Sequence, residues 1–212
     1  LYNPSERMDS SFYSDHLGGA REDWDVIHDF NELRSGTKSA WNKLQADARN
    51  AENISDYFAL QGLDPDGTPN PEIQNLINID NFIDYMLLHF HARAEDWPSH
   101  NWYAARKSRN GNEGFIFQPW DQEIVLDNLS LNRLNASDAG TPGSLFQNLR
   151  DSDEFRLRFA DRAHKHLHNN GALSLGQSRA LYRRLADRID KAIVAESARW
   201  GDTSDSTPWG NR

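Results

Sequence analysis

The chain contains no cysteine. Disulfide frameworks, thiolate metal sites and cysteine nucleophiles are excluded together, while the redox compartment stays open. No basic block is present either. Lys and Arg are scattered among a larger number of Asp and Glu, and the net charge is −9 over 212 residues. A nucleic-acid binder carries a basic stripe, so no nucleic-acid partner is expected. The anionic balance also disfavours a bare membrane-surface role. No apolar run approaches the ~18 residues of a membrane-spanning helix, so no membrane span is expected. Internal repeats and low-complexity tracts are absent as well. Aromatic mass is what the chain has in quantity: Trp 7 and Phe 10, with apolar residues at 37%. That composition belongs to a folded chain long enough for one substantial core.

The opening stretch, Leu1 to Val26, reads as irregular, with Gly18-Gly19 as a turn signal. Thr37 predicts the cap of a helix carrying Trp41, Leu44 and Ala48. Ser55 predicts a short helix through Tyr57, Phe58 and Leu60. After a turn-rich loop, Asn70, Pro71 and Glu72 form a helix-start pattern. The spacing of Ile73, Leu76, Ile77, Ile83, Leu87 and Phe90 then predicts one long, largely buried helix. A polar loop follows, Glu95 to Asn101. Trp102 to Ala105 and Phe115 to Phe117 read as a hairpin around the Asn110-Gly111 turn pair. Residues 128–143 read as a long loop. Phe155, Phe159, Ala163 and Leu167 predict a helix after Ser152. Ser174 and Gln177 make a capping box before a longer helix with Leu181, Leu185, Ile189 and Ile193.

One constellation carries chemistry. Asp96 and Asn101 stand five apart in a loop between the buried helix and the hairpin, and Asp121 ends the second strand. Phosphoryl transfer asks for this set: a carboxylate near the attacking hydroxyl and oxygen ligands for Mg²⁺ against the phosphates. On that reading Asp96 orients the hydroxyl and accepts its proton, while Asn101 and Asp121 bind Mg²⁺. The plain alternative is that Asp96 caps a turn, Asn101 bonds backbone and Asp121 closes the hairpin.

The stretch NFIDYMLLHFHARAEDWPSHNWYAARKSRNGNEGFIFQPWDQE resembles the core of the CotH kinase family. The resemblance rests on Asn81-Phe82-Ile83-Asp84-Tyr85, on Asp96, on Asn101-Trp102-Tyr103 and on Trp120-Asp121-Gln122-Glu123. LYNPSERMDSSFYSDHLGGAREDWDVI and AIVAESARWGD resemble further family segments, so the likeness covers most of the chain. It implies a secreted or surface-associated kinase that uses ATP and Mg²⁺ to phosphorylate Ser or Thr of a protein substrate. It implies that Asp96 is the catalytic-loop Asp, Asn101 the loop Asn and Asp121 the metal-binding Asp. Glu123 stands where many members have Asp and is a candidate second metal carboxylate. Glu6 resembles the Glu of the strand linking the two lobes, near the adenine.

The implied fold is α+β, mainly α: the large lobe of an atypical kinase over residues 1–200, with a small hairpin at the active site. A loose tail is expected at 201–212, and the ATP-gripping N-terminal lobe is expected to lie outside this sequence. The rival function is a non-catalytic surface module that binds a protein or glycan. Metal-dependent hydrolysis by Asp96, Asp121 and Glu123 is a third reading.

Other conspicuous residues have plainer explanations. His164, His166 and His168 lack the His-Glu-x-x-His pattern and sit among cations, so they read as a solvated helix end. His89 reads as a packed, hydrogen-bonded histidine. His91 and His100 are placed to orient the Asp96 loop. Trp97, Trp102 and Trp120 read as packing around that loop rather than as a sugar-stacking platform. Arg106, Lys107 and Arg109 read as a solvated hairpin tip.

Overall fold

Trp24-Asp25-Val26-Ile27-His28 places apolar side chains on both faces of a strand, which suits a central position in a sheet covered on both sides. In the computed structural model, which describes residues 5–109 and 111–200, that segment is β1 (Trp24–His28). It pairs with β2 (Glu32–Ser35) on one side and β3 (Trp102–Lys107) on the other. β4 (Ile116–Pro119) pairs with β3 and completes a four-stranded antiparallel sheet of order β2-β1-β3-β4. The predicted hairpin is therefore present, but within a larger sheet. Asn110 of its turn pair lies outside the described residues, as do residues 1–4 and the expected tail at 201–212.

The opening stretch is not irregular. Asp9 accepts hydrogen bonds from the N–H groups of Ser11 and Phe12 and caps α1 (Ser10–Leu17), which stops at Gly18 with φ 82°. This helix is short and lacks a repeating apolar stripe, so periodicity missed it. Tyr13 from α1 is buried against Trp24, Val26, Tyr103 and Ala105 on one sheet face. Its hydroxyl donates to Gln118 at 2.6 Å.

The opposite face carries Ile27, Trp102, Ala104 and Phe117, all buried. α2 (Ser39–Asp47) supplies Trp41, whose ring lies 5.6 Å from Trp102 and 5.3 Å from Phe115. α3 (Ile54–Ala59) follows, capped by Asn53. α4 (Ile79–Ala92) starts six residues later than the Ile73 expected from the sequence, capped by Asn78. The Asn70 pattern makes only a local turn. Residues 75–77 instead bridge to Gln61 and Phe115, so their apolar side chains are buried without helix. Gly114 permits this: a Cβ there would lie 2.3 Å from the carbonyl carbon of Ile77.

α5 (Pro142–Leu149), α6 (Asp153–Leu167) and α7 (Leu175–Trp200) complete the described chain. α6 and α7 match the expected helices, but among the described residues the Ser174 hydroxyl has no hydrogen-bond partner, so the expected capping box is not formed. Two bodies are compact in themselves: residues 7–164, and residues 5–6 with 165–200. Within the first, Arg158 and Arg162 of α6 grip Asp80 and Asp84 of α4 with paired guanidinium hydrogen bonds. Among the described residues no helix is long and apolar enough to cross a membrane. Arg106 is not solvated. It is 4% exposed, donates from Nε to the Asn75 carbonyl and stands opposite the buried Asp25.

His89 is fully buried, but among the described residues neither ring nitrogen has a hydrogen-bond partner. Burial, aided by the nearby positive charge of Arg133, lowers its pKa from 6.5 to about 3. The unfolded chain takes up a proton below 6.5, whereas the native state does so only near 3. The associated stability is intact above 6.5 and is lost as pH falls, by up to ~1.4 kcal/mol per pH unit. Urea unfolding at pH 7 and pH 5 checks this: His89→Phe is expected to reduce the drop in midpoint, and equal drops would refute a neutral buried imidazole.

Candidate active site

The site begins where α4 ends. Arg93 takes a left-handed conformation, φ 54°, and closes the helix. The following loop is tied to the core by Trp97, which is 1% exposed. Its indole N–H donates to the Tyr85 hydroxyl at 2.7 Å, and its ring stacks on His89 at 5.0 Å. Asp96 is the residue before this anchor and is half-buried. The His100 N–H donates to the Asp96 carbonyl at 3.2 Å and closes the loop. Asn101 then turns through φ 65° into β3, a conformation that Asn tolerates better than most residues.

The second segment leaves β4 after Pro119. The Trp120 N–H donates to the Asn101 carbonyl at 3.0 Å. Gln122 donates from Nε2 to the Trp120 carbonyl at 2.7 Å and to the Asn101 carbonyl at 3.4 Å. Asp121, between them, has φ 45°. The Glu95 N–H donates to the Ile124 carbonyl, and the Leu126 N–H to the Ala92 carbonyl. Residues 120–126 therefore run along 92–101. Asp96, Asn101, Asp121 and Glu123 lie on two adjacent backbone segments.

Asp121 and Glu123 are exposed, whereas Asp96 and Asn101 are half-buried. Among the described residues none of these four side chains enters a hydrogen bond or ion pair. Their oxygens are uncommitted donors for a ligand. No group of three or more His, Cys, Asp or Glu among the described residues is placed to hold a metal ion. Asp96, Asp121 and Glu123 thus make no three-carboxylate cage of the kind a metallohydrolase reading asks for. Glu6 is exposed, lies in neither helix nor strand, and falls in the body formed with 165–200. The expected linking strand is not formed there.

The motif did not reveal what holds the loop from the other side. Asp29 accepts the Trp102 N–H through Oδ1 at 3.1 Å, across 73 residues of sequence. The Phe30 N–H donates to the Ser99 carbonyl at 2.7 Å, and the Phe30 ring meets His100 edge-on at 4.2 Å. Asn31 is held in turn by the Trp41 indole N–H and by Lys38. The Asp29-Phe30-Asn31 turn, with Phe30 and Asn31 both left-handed, thus grips both sides of Asn101. An Asn after a short apolar run was the available signal for such a turn.

The electrostatics follow burial. The Tyr85 hydroxyl is pushed well above its ordinary pKa by burial, against the lowering effect of the Trp97 hydrogen bond and with a further rise from the Asp29 charge. Arg133 sits 6.0 Å from the Trp97 ring. Burial lowers its pKa, while Asp138 and Glu95 oppose the shift. Trp97 and Trp102 are enclosed, and Trp120 is half-buried. The line of tryptophans is packing, not an open stacking surface.

No curated protein and no solved structure matches the chain. The family model described as CotH kinase protein matches residues 1–211. That match takes in both segments of the site and the strands that carry them, and the chain therefore belongs to the CotH kinase family.

Proposed function

We propose that the protein transfers the γ-phosphoryl group of ATP to a Ser or Thr hydroxyl of another protein, with Mg²⁺ held between Asn101 and Asp121. The observation that carries this reading is the Trp120-to-Asn101 backbone bond, which sets the Asp121 segment beside the Asp96 loop. The donor set suits Mg²⁺, which takes oxygen ligands and is commonly bound by one or two carboxylates plus phosphates rather than by an all-protein cage. Asn101 and Asp121 supply an amide and a carboxylate oxygen, and Glu123 a further carboxylate. Bound Mg²⁺ supplies positive charge against the donor phosphates.

Within this reading the 7–164 body is the main part of a kinase large lobe. Asp96 orients the acceptor hydroxyl and receives its proton as the new oxygen–phosphorus bond forms and the bond to the leaving diphosphate breaks. The enclosed Trp97 keeps Asp96 from swinging with the loop. Asp29 is a positioning residue, acting through the Trp102 N–H on the conformation of Asn101. The rival surface-module reading finds less support, because two of its three tryptophans are buried.

ATP-dependent labelling of a Ser-containing acceptor by the full-length protein tests the proposal. Asp96→Ala is expected to lower kcat by about 10²–10⁴-fold, the range of a lost general base. Asp121→Ala is expected to abolish labelling while the far-ultraviolet circular dichroism stays unchanged. Wild-type rates in either variant would mean that other residues carry the reaction.

Asp29→Ala is expected to raise the Mg²⁺ concentration for half-maximal rate and to lower kcat. The scale is that of losing one partly buried hydrogen bond, about 1–3 kcal/mol. Asp29→Asn retains an acceptor oxygen and should recover most of both parameters. Equal damage by the two substitutions would assign Asp29 a role other than holding the loop.

A further inference from the structure

A second cleft lies at the far end of the β3–β4 hairpin from Asn101. It is an open cleft of about 960 Å³ within the 7–164 body, at the upper end of the range of about 300–1,000 Å³ usual for ligand sites. Trp24, Ile77, Ala105 and Ile116 form its floor. Leu17 and Leu157 stand at its mouth, 52% and 61% exposed. Large apolar side chains left half-open around a concave floor mark a contact surface rather than a finished core.

The charged rim is one-sided. Asp80 is bound by Arg158 through two hydrogen bonds of 2.7 and 2.6 Å, which neutralise each other. The remaining carboxylates on the lining are Glu113, Glu154 and Asp161, against Lys107 and the Arg158 guanidinium, whose charge is felt by Asp161 as well as by Asp80, so the lining keeps an excess of negative charge. None of these three carboxylates enters an ion pair among the described residues. Negative charge beside low-dielectric apolar walls concentrates the field on whatever enters. The complementary ligand carries an apolar side chain next to guanidinium or ammonium groups. The mouth is too open to enclose a small amine but suits an extended chain.

We propose that this cleft docks a basic, leucine-bearing peptide segment of a partner protein, and that the partner is the phosphoryl acceptor. The second clause rests on the proposed function; the docking itself does not. β3 separates the cleft from Asn101 by about 17 Å at 3.3 Å per residue. An extended tether of about five or six residues spans that gap, so one chain can reach both places.

Fluorescence anisotropy with the intact protein and two labelled peptides tests this, one alternating Leu with Arg and one alternating Leu with Glu. The Arg peptide is expected to bind, more weakly at high salt, and the Glu peptide not to bind. The double variant Glu113→Lys with Asp161→Lys should weaken binding by at least about tenfold, on the scale of reversed interface charges. Leu157→Asp, a change at an exposed position, should also weaken it. Asp121→Ala should leave it unchanged. Equal binding of both peptides, undiminished binding by the charge-reversed protein, or loss in Asp121→Ala would overturn the docking site. A dimer that the cleft variants dissociate would name a second copy as the occupant and overturn it equally. Peptide binding without any labelling of acceptor by the wild type would leave the cleft standing and remove the transfer reading alone.

Discussion

The hydrogen bond from the Trp120 N–H to the Asn101 carbonyl is the contact on which the site depends. It lies one residue beyond the last strand pair, Trp102 with Pro119. At that point both chains leave the sheet, and each does so through a left-handed residue, Asn101 and Asp121. Left-handed backbone is uncommon outside glycine and persists where surrounding contacts fix it. Those contacts are the Gln122 amide from one side and the Asp29-Phe30 turn from the other. The candidate site is presented by left-handed connections held on a sheet, a common division of labour in enzymes.

Rigidity beneath the site comes from aromatic packing. Trp41, Trp102, Phe115 and Phe117 meet on one face of the sheet. Trp97 extends that packing into the loop through Tyr85 and His89. An unpaired imidazole in such a place carries a cost, since a buried polar group without a partner loses its hydration. His89 tolerates it by staying neutral.

Local chemistry was legible in the sequence, and long-range pairing was not. The hairpin showed itself through two short aromatic-bearing runs on either side of the Asn110-Gly111 turn pair, and the polar stretch from Glu95 to Asn101 read as the loop that it is. The helix start predicted at Asn70 was a true turn signal, but tertiary pairing of residues 75–77 with Gln61 and Phe115 took the backbone that a helix would have used. Arg106 looked solvated because its partners, the Asn75 carbonyl and Asp25, are remote in sequence. Asp29 went unnoticed for the same reason. The family match embraces the motif, whereas the grip on Asn101 emerges only when β1 is laid beside β3.

That placement has a consequence for how the protein is made. β1 is threaded between β2 and β3, and its register with β3 joins Trp24 to Lys107 and His28 to Tyr103. The middle of the sheet therefore waits for a contact spanning most of a hundred residues, and such closures are slow. During synthesis on the ribosome β1 must remain unpaired on its inner edge until β3 has emerged. A nascent chain stalled before Asn101 has half a sheet and an open edge, the condition in which strands add to the wrong neighbour.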